Sequence, residues 1–261
     1  MKVFRWLRAA FSTYSKIPVP SYEMKDDDMN HCIMFLPILG VIIGAVMFGA
    51  VRLFTILRVP ISAKALIAIV VPLLITGGFH VDGFMDTTDA LSSYGSKDKK
   101  LEIMKDPHTG AFAITRFAAA GLIMLAALTI LISIESTKDT PVVIFACFVF
   151  VISRALSAIT SIAFKKAKQD GMLVSETEKD DTAVLVVVLI QLFAALSFMA
   201  YLDLRNTLII AGAFLLFVLY YRHMTYKNFD GVTGDTAGYF VTAGEVFVLT
   251  VLAVAQLIIF A

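Results

Sequence analysis

Apolar residues fall along this chain in seven long stretches, about 31–51, 61–80, 112–134, 141–163, 183–202, 207–221 and 237–260. Most reach the roughly 20 residues that a helix needs to cross a hydrocarbon layer; the stretch 207–221 is short for a full crossing. Lipid offers the backbone no hydrogen-bond partner, so segments of this length and uniformity predict helices that satisfy their own polar groups. A different pattern precedes them. Phe4, Leu7 and Phe11 recur at helical spacing with Lys2, Arg5 and Arg8 between them, which predicts a short basic helix lying on the membrane surface. The first twenty residues lack the continuous apolar core of a secretory signal. The expected fold is all-α: a polytopic integral membrane protein of about seven transmembrane helices plus an N-terminal interfacial helix. No internal repeat or low-complexity linker divides residues 1–261, so one membrane-embedded domain is expected.

Composition agrees with the pattern. Hydrophobic residues make up 59% of the chain and charged residues 16%, against about half and about a quarter in soluble domains. The mean hydropathy is +0.83. A net charge of +1 by itself says nothing about nucleic acid, and no nucleic-acid partner is expected. Cys32 and Cys147 lie singly inside apolar runs and read as buried small hydrophobes. The placement of charge is more informative than its sum. Loops 1–30, 82–110, 164–181 and 222–236 together hold fifteen lysines and arginines, whereas 52–60, 135–140 and 203–206 hold four. This bias assigns the first set to the cytoplasm and the chain to an inner cell membrane, with the N-terminus inside and the C-terminus outside.

The candidate chemistry lies on that cytoplasmic side. In GGFHVDGFMDTTDALSSYG, residues 77–95, Asp82, Asp86 and Asp89 are spaced to share one helix face. Stacked carboxylates repel one another unless a cation stands between them, and a hard divalent ion such as Mg²⁺ would also hold substrate phosphates. His80, just ahead of them, is a candidate general base or a support for the acids. Lys105, Asp106 and His108 precede Gly110 where the chain re-enters the membrane. Lys105 could neutralise a phosphate, and Asp106 could join the metal site. Arg116 lies one turn inside the next span and must face the interior or snorkel. Arg154 lies deeper and needs an acid or an anionic ligand. The last loop, FDGVTGDTAGYF at 229–240, adds Asp230 and Asp235 with glycines 231, 234 and 238 that permit close backbone approach to a ligand. This inventory fits metal-assisted phosphoryl or phosphodiester transfer. Two other readings are open. A CDP-alcohol phosphotransferase would want an Ala-Arg pair after its Asp-Gly, where this chain continues Phe84, Met85, Asp86, Thr87. A secondary transporter would want paired halves and acids within the spans.

The stretches GGFHVDGFMDTTDAL, IMKDPHTGAFA and GVTGDTAGYF resemble, in order, the three signature stretches of the cobalamin synthase (adenosylcobinamide-GDP ribazoletransferase) family. FSTYSKIPVP resembles the stretch that opens it, with Lys16 where the family commonly has arginine. The resemblance implies a membrane-bound, Mg²⁺-dependent enzyme. It would join adenosylcobinamide-GDP to α-ribazole, or its 5′-phosphate, and release GMP, completing the nucleotide loop of the corrinoid. It further implies that Asp82, Asp86 and Asp89 hold metal and pyrophosphate and that Asp235, with Gly234, binds metal or phosphate. Lys105, Asp106 and His108 would contact substrate, with Arg154 a further candidate. The lipid bilayer is the expected surrounding, and self-association is compatible with such a chain.

Overall fold

The computed structural model describes residues 2–138, 141–167, 172–177 and 181–260. The basic residues Lys168 and Lys179, and the side chain of Lys138, lie outside what is described. The helices are α1 (Lys2–Tyr14), α2 (Asp26–Cys32), α3 (Leu36–Ile56), α4 (Ile61–Thr76), α5 (Phe79–Ser92), α6 (Lys97–Ile103) and α7 (Ala111–Lys138). They continue with α8 (Val142–Ala163), α9 (Met172–Glu176), α10 (Asp181–Leu202), α11 (Leu204–Phe229) and α12 (Gly234–Phe260). Among the described residues the extended backbone pairs only at one bridge, Lys166 with Val232.

Six helical stretches are long and apolar enough to span a bilayer: Asp26–Ile56, Ala111–Thr137, Val142–Ala163, Thr182–Leu202, Leu204–Phe229 and Gly234–Phe260. The segment expected to be the shortest is therefore a 26-residue helix. The departure comes at 61–80. There α4 has only 16 residues, about 24 Å at 1.5 Å per residue, and the chain then turns by 95° into α5. The cause is local. Gly77 (φ +64°) and Gly78 (φ +83°) both adopt the left-handed conformation, which ends a right-handed helix and which side chains other than glycine rarely take. A Cβ on Gly77 would also strike the Lys16 side chain at 2.5 Å, because the segment after α1 closes here through Lys16 N–H to the Ile75 carbonyl (2.8 Å).

The bundle is held by close approach and by caps. Gly40 and Gly44, four apart on α3, let α8 come near: a Cβ on Gly44 would stand 2.8 Å from the Cys147 carbonyl oxygen. At one end of the bundle Arg52 pairs with Glu135 (2.6 Å), and Glu135 Oε2 accepts the Val143 N–H (2.6 Å) at the start of α8. The predicted N-terminal helix forms, with Leu7 and Phe11 packed on the core and Phe4 68% exposed. Arg5 anchors it to α2 through Asp28 (2.6 Å). The α11–α12 turn is pinned from two directions. Asp230 (φ +65°) receives Lys165 (2.7 Å) and Lys97 (3.3 Å), and Val232 exchanges backbone hydrogen bonds with Lys165 and Ala167.

Candidate active site

The 95° turn lays α5 across the first turns of α7 and α12, outside the direction of the spans. Small residues make the crossing close. A Cβ on Gly83 would lie 2.6 Å from the Asp235 carbonyl oxygen, and one on Gly238 would lie 2.9 Å from that of His80. Phe84 stacks on Tyr239 (5.6 Å between centroids, 11° between planes) and completes the seam. The first turn of α12 is fixed by a reciprocal cap. Thr236 Oγ1 accepts the Thr233 N–H (2.8 Å), and Thr233 Oγ1 accepts the Thr236 N–H (3.2 Å). Tyr221 adds its hydroxyl to Thr236 Oγ1 (3.2 Å). Asp235 is thus delivered beside α5 on a rigid helix start.

The acids of α5 occupy its outer face, as their spacing predicts: Asp82 is exposed, and Asp86 and Asp89 are half-buried. Asp82, Asp235 and Asp89 surround Asp86 with like charge. Among the described residues no three His, Cys, Asp or Glu side chains are drawn together as ligands to one ion. The donors nevertheless suit a hard cation: they are carboxylate oxygens on two helices, around a half-buried carboxylate whose charged neighbours are acids. Asp89 has a task of its own. Its Oδ2 accepts the Gly110 N–H (2.6 Å) and its Oδ1 the Ala113 N–H (2.8 Å). It therefore caps the first turn of α7 and ties that helix to α5.

The 104–110 turn borders the same face. Lys105, Asp106 and His108 are exposed, and the His108 backbone N–H (2.9 Å) and Nδ1 (2.8 Å) both meet Asp106 Oδ1. These bonds hold the Asp106 carboxyl below the usual carboxylate range. Residues of this turn line a cleft of about 290 Å³ together with Asp86 and Asp89. Gly234 is exposed, and a Cβ there would meet nothing within 4 Å, so its backbone is open to an approaching ligand.

Two expected residues are not brought to this face. His80 lies on the inward side of α5, 6% exposed, and its Nδ1 has no partner. It lines an inner cavity of about 80 Å³ together with Arg154. Arg154, 1% exposed, pairs with Glu245 of α12 (2.6 Å), which also accepts the Ser153 hydroxyl (2.8 Å). Its need for an acid is met inside the protein. Asp230 serves the pinned turn, where Lys165 and then Lys97 hold it below the usual carboxylate range. Arg116 is exposed, as snorkelling requires. Sequence reasoning passed over Glu245, although a lone acid inside an apolar span is itself a signal. It also passed over the Thr-x-x-Thr cap at 233–236.

The chain matches the family described as Cobalamin-5-phosphate synthase over residues 6–253. Among curated relatives, an adenosylcobinamide-GDP ribazoletransferase of Lachnoclostridium phytofermentans is 35% identical over 257 residues, covering 97% of this chain and 95% of the relative. A protein of the same name from Clostridium botulinum is 31% identical, covering 94% of this chain and 95% of its own length. Another from Acinetobacter baumannii is 30% identical, covering 92% of each. No solved structure matches.

Proposed function

The chain belongs to the Cobalamin-5-phosphate synthase family, and from that premise we propose that it is an adenosylcobinamide-GDP ribazoletransferase using α-ribazole, or its 5′-phosphate, as acceptor. The bond that forms joins a ribose hydroxyl oxygen of the acceptor to the phosphorus carried by the cobinamide. The bond that breaks is the anhydride P–O, and GMP leaves with the electron pair. The hydroxyl proton passes to a base.

The observation that carries this reading is the crossing of α5 over α12, with Gly83 against the Asp235 backbone, which joins carboxylates from residues 82–89 to one from 235. In our reading Asp82, Asp86 and Asp235 would hold Mg²⁺, which when bound neutralises charge on the pyrophosphate. Asp89, already engaged with the amides of Gly110 and Ala113, positions the start of α7 and the turn ahead of it. Lys105 and the open backbone at Gly234 are available to phosphate oxygens. The proton goes to a carboxylate of the outer face, since the imidazole of His80 is turned inward. The excess of lysine and arginine in the loops around this face supports a cytoplasmic orientation under the positive-inside rule.

The test is GMP release from adenosylcobinamide-GDP and α-ribazole by purified protein in lipid, with and without Mg²⁺. Release that requires both Mg²⁺ and ribazole is expected. Its absence from a folded, reconstituted sample would overturn the reading and redirect attention to CDP-alcohol substrates.

A further inference from the structure

We propose that the cleft between α5 and the 104–110 turn seats the guanine base of the nucleotide leaving group, stacked on Phe112 and read along its Watson–Crick edge by Asp106. The inference rests on the transferase reading and goes beyond it by assigning base specificity to a residue.

The cleft joins two kinds of surface. Asp86 and Asp89, beside the proposed phosphate site, line it together with Ile103, Asp106, His108 and Phe112. Whatever is attached to a phosphate held at Asp86 extends along this cleft. Its volume of about 290 Å³ lies at the lower limit of the roughly 300–1,000 Å³ typical of small-molecule sites. That is room for a nucleoside and far too little for a corrin ring. Phe112, 62% exposed at the start of α7, offers a flat face to a heteroaromatic ring, a contact that every base can make.

Selection among bases then falls to the polar group that meets the ring edge. Guanine presents two donors side by side, N1–H and the N2 amino group. Adenine presents an acceptor at N1. A carboxylate only accepts, so it attracts the first and repels the second. Asp106 is prepared for this task. Both bonds from His108 fall on Oδ1, which orients the group, and Oδ2 takes no hydrogen bond from the described residues. The His108 ring is 90% exposed and free to swing aside, opening Oδ1 as a second acceptor. Asp106 is thus a specificity residue, distinct from the acids of α5.

The test compares GMP, IMP and XMP as product inhibitors and, by calorimetry without turnover, as ligands. IMP lacks the N2 amino group, and XMP carries a carbonyl in its place. Wild type should bind GMP about tenfold or more tighter than either, the size of one hydrogen bond to a charged group. Asp106→Asn, whose amide donates to the xanthine carbonyl, should invert the order and prefer XMP. Phe112→Ala should weaken all three alike, and Phe112→Trp should restore them. Equal binding of IMP and GMP by wild type would overturn the proposal. So would an Asp106→Asn protein that loses all three equally, or one that loses its response to Mg²⁺, which would make Asp106 a metal ligand. Absence of GMP release by wild type is a separate result that strikes the transferase reading, because the binding series needs no turnover.

Discussion

What each carboxylate around the site can do depends on what its oxygens already hold. Asp230 is committed to two lysines, and Asp89 to the amides of Gly110 and Ala113, whereas Asp82 is exposed and Asp86 half-buried. Asp82→Asn and Asp86→Asn should therefore abolish GMP release while the protein still folds in lipid. Asp230→Asn keeps a side chain that tolerates the left-handed backbone and loses only exposed ion pairs, which are worth little. Its turnover should stay within about twofold of wild type, and kinetics of the three purified variants decide the matter. Asp89→Ala strips the cap from α7 and should lower stability by about 1–2 kcal/mol, read as a shift in the denaturation midpoint of the purified protein.

At the scale of elements, the site is a crossing of helices and is as sensitive as that crossing is tight. The atoms facing Gly83 are backbone atoms of Asp235, which cannot rotate away as a side chain could. Gly83→Ala should push α5 off α12. Overpacking of this kind costs about 1–3 kcal/mol, and misplacing reacting groups by about 1 Å can cost about a hundredfold in rate. The expected outcome is a protein that folds and still extracts with lipid but has kcat reduced by about two orders of magnitude. Wild-type kcat would show that the crossing is not what assembles the site. Beneath the crossing, the Arg154–Glu245 pair (2.6 Å) fastens α8 to α12. Removing one partner of such a buried pair strands the other charge, so this pair holds α12 in place below the acids.

At the scale of the molecule, the basic loops and the acidic face lie at one end of the bundle, with Arg52 and Glu135 at the other. Orientation is tested by single cysteines, since Cys32 and Cys147 are buried. A thiol placed by Tyr94→Cys should label only from the cytosol and one placed by Leu57→Cys only from the opposite side; the reverse pattern would invert the topology. Much of this molecule was legible in the sequence. Length and hydropathy are properties of contiguous residues, so the chain by itself determined the spanning helices, their number to within one, and the acidic face of 82–89. The Gly77–Gly78 pair carried the break in the second apolar segment, but a pair of glycines does not encode the 95° into which the chain turns. That angle follows from α5 finding α7 and α12. Likewise, only the tertiary structure assigned Glu245 to Arg154, turned His80 inward and gave Asp89 to the amides of Gly110 and Ala113. Each of these depends on a partner that packing supplies from another helix, and local periodicity carries no record of which helices meet.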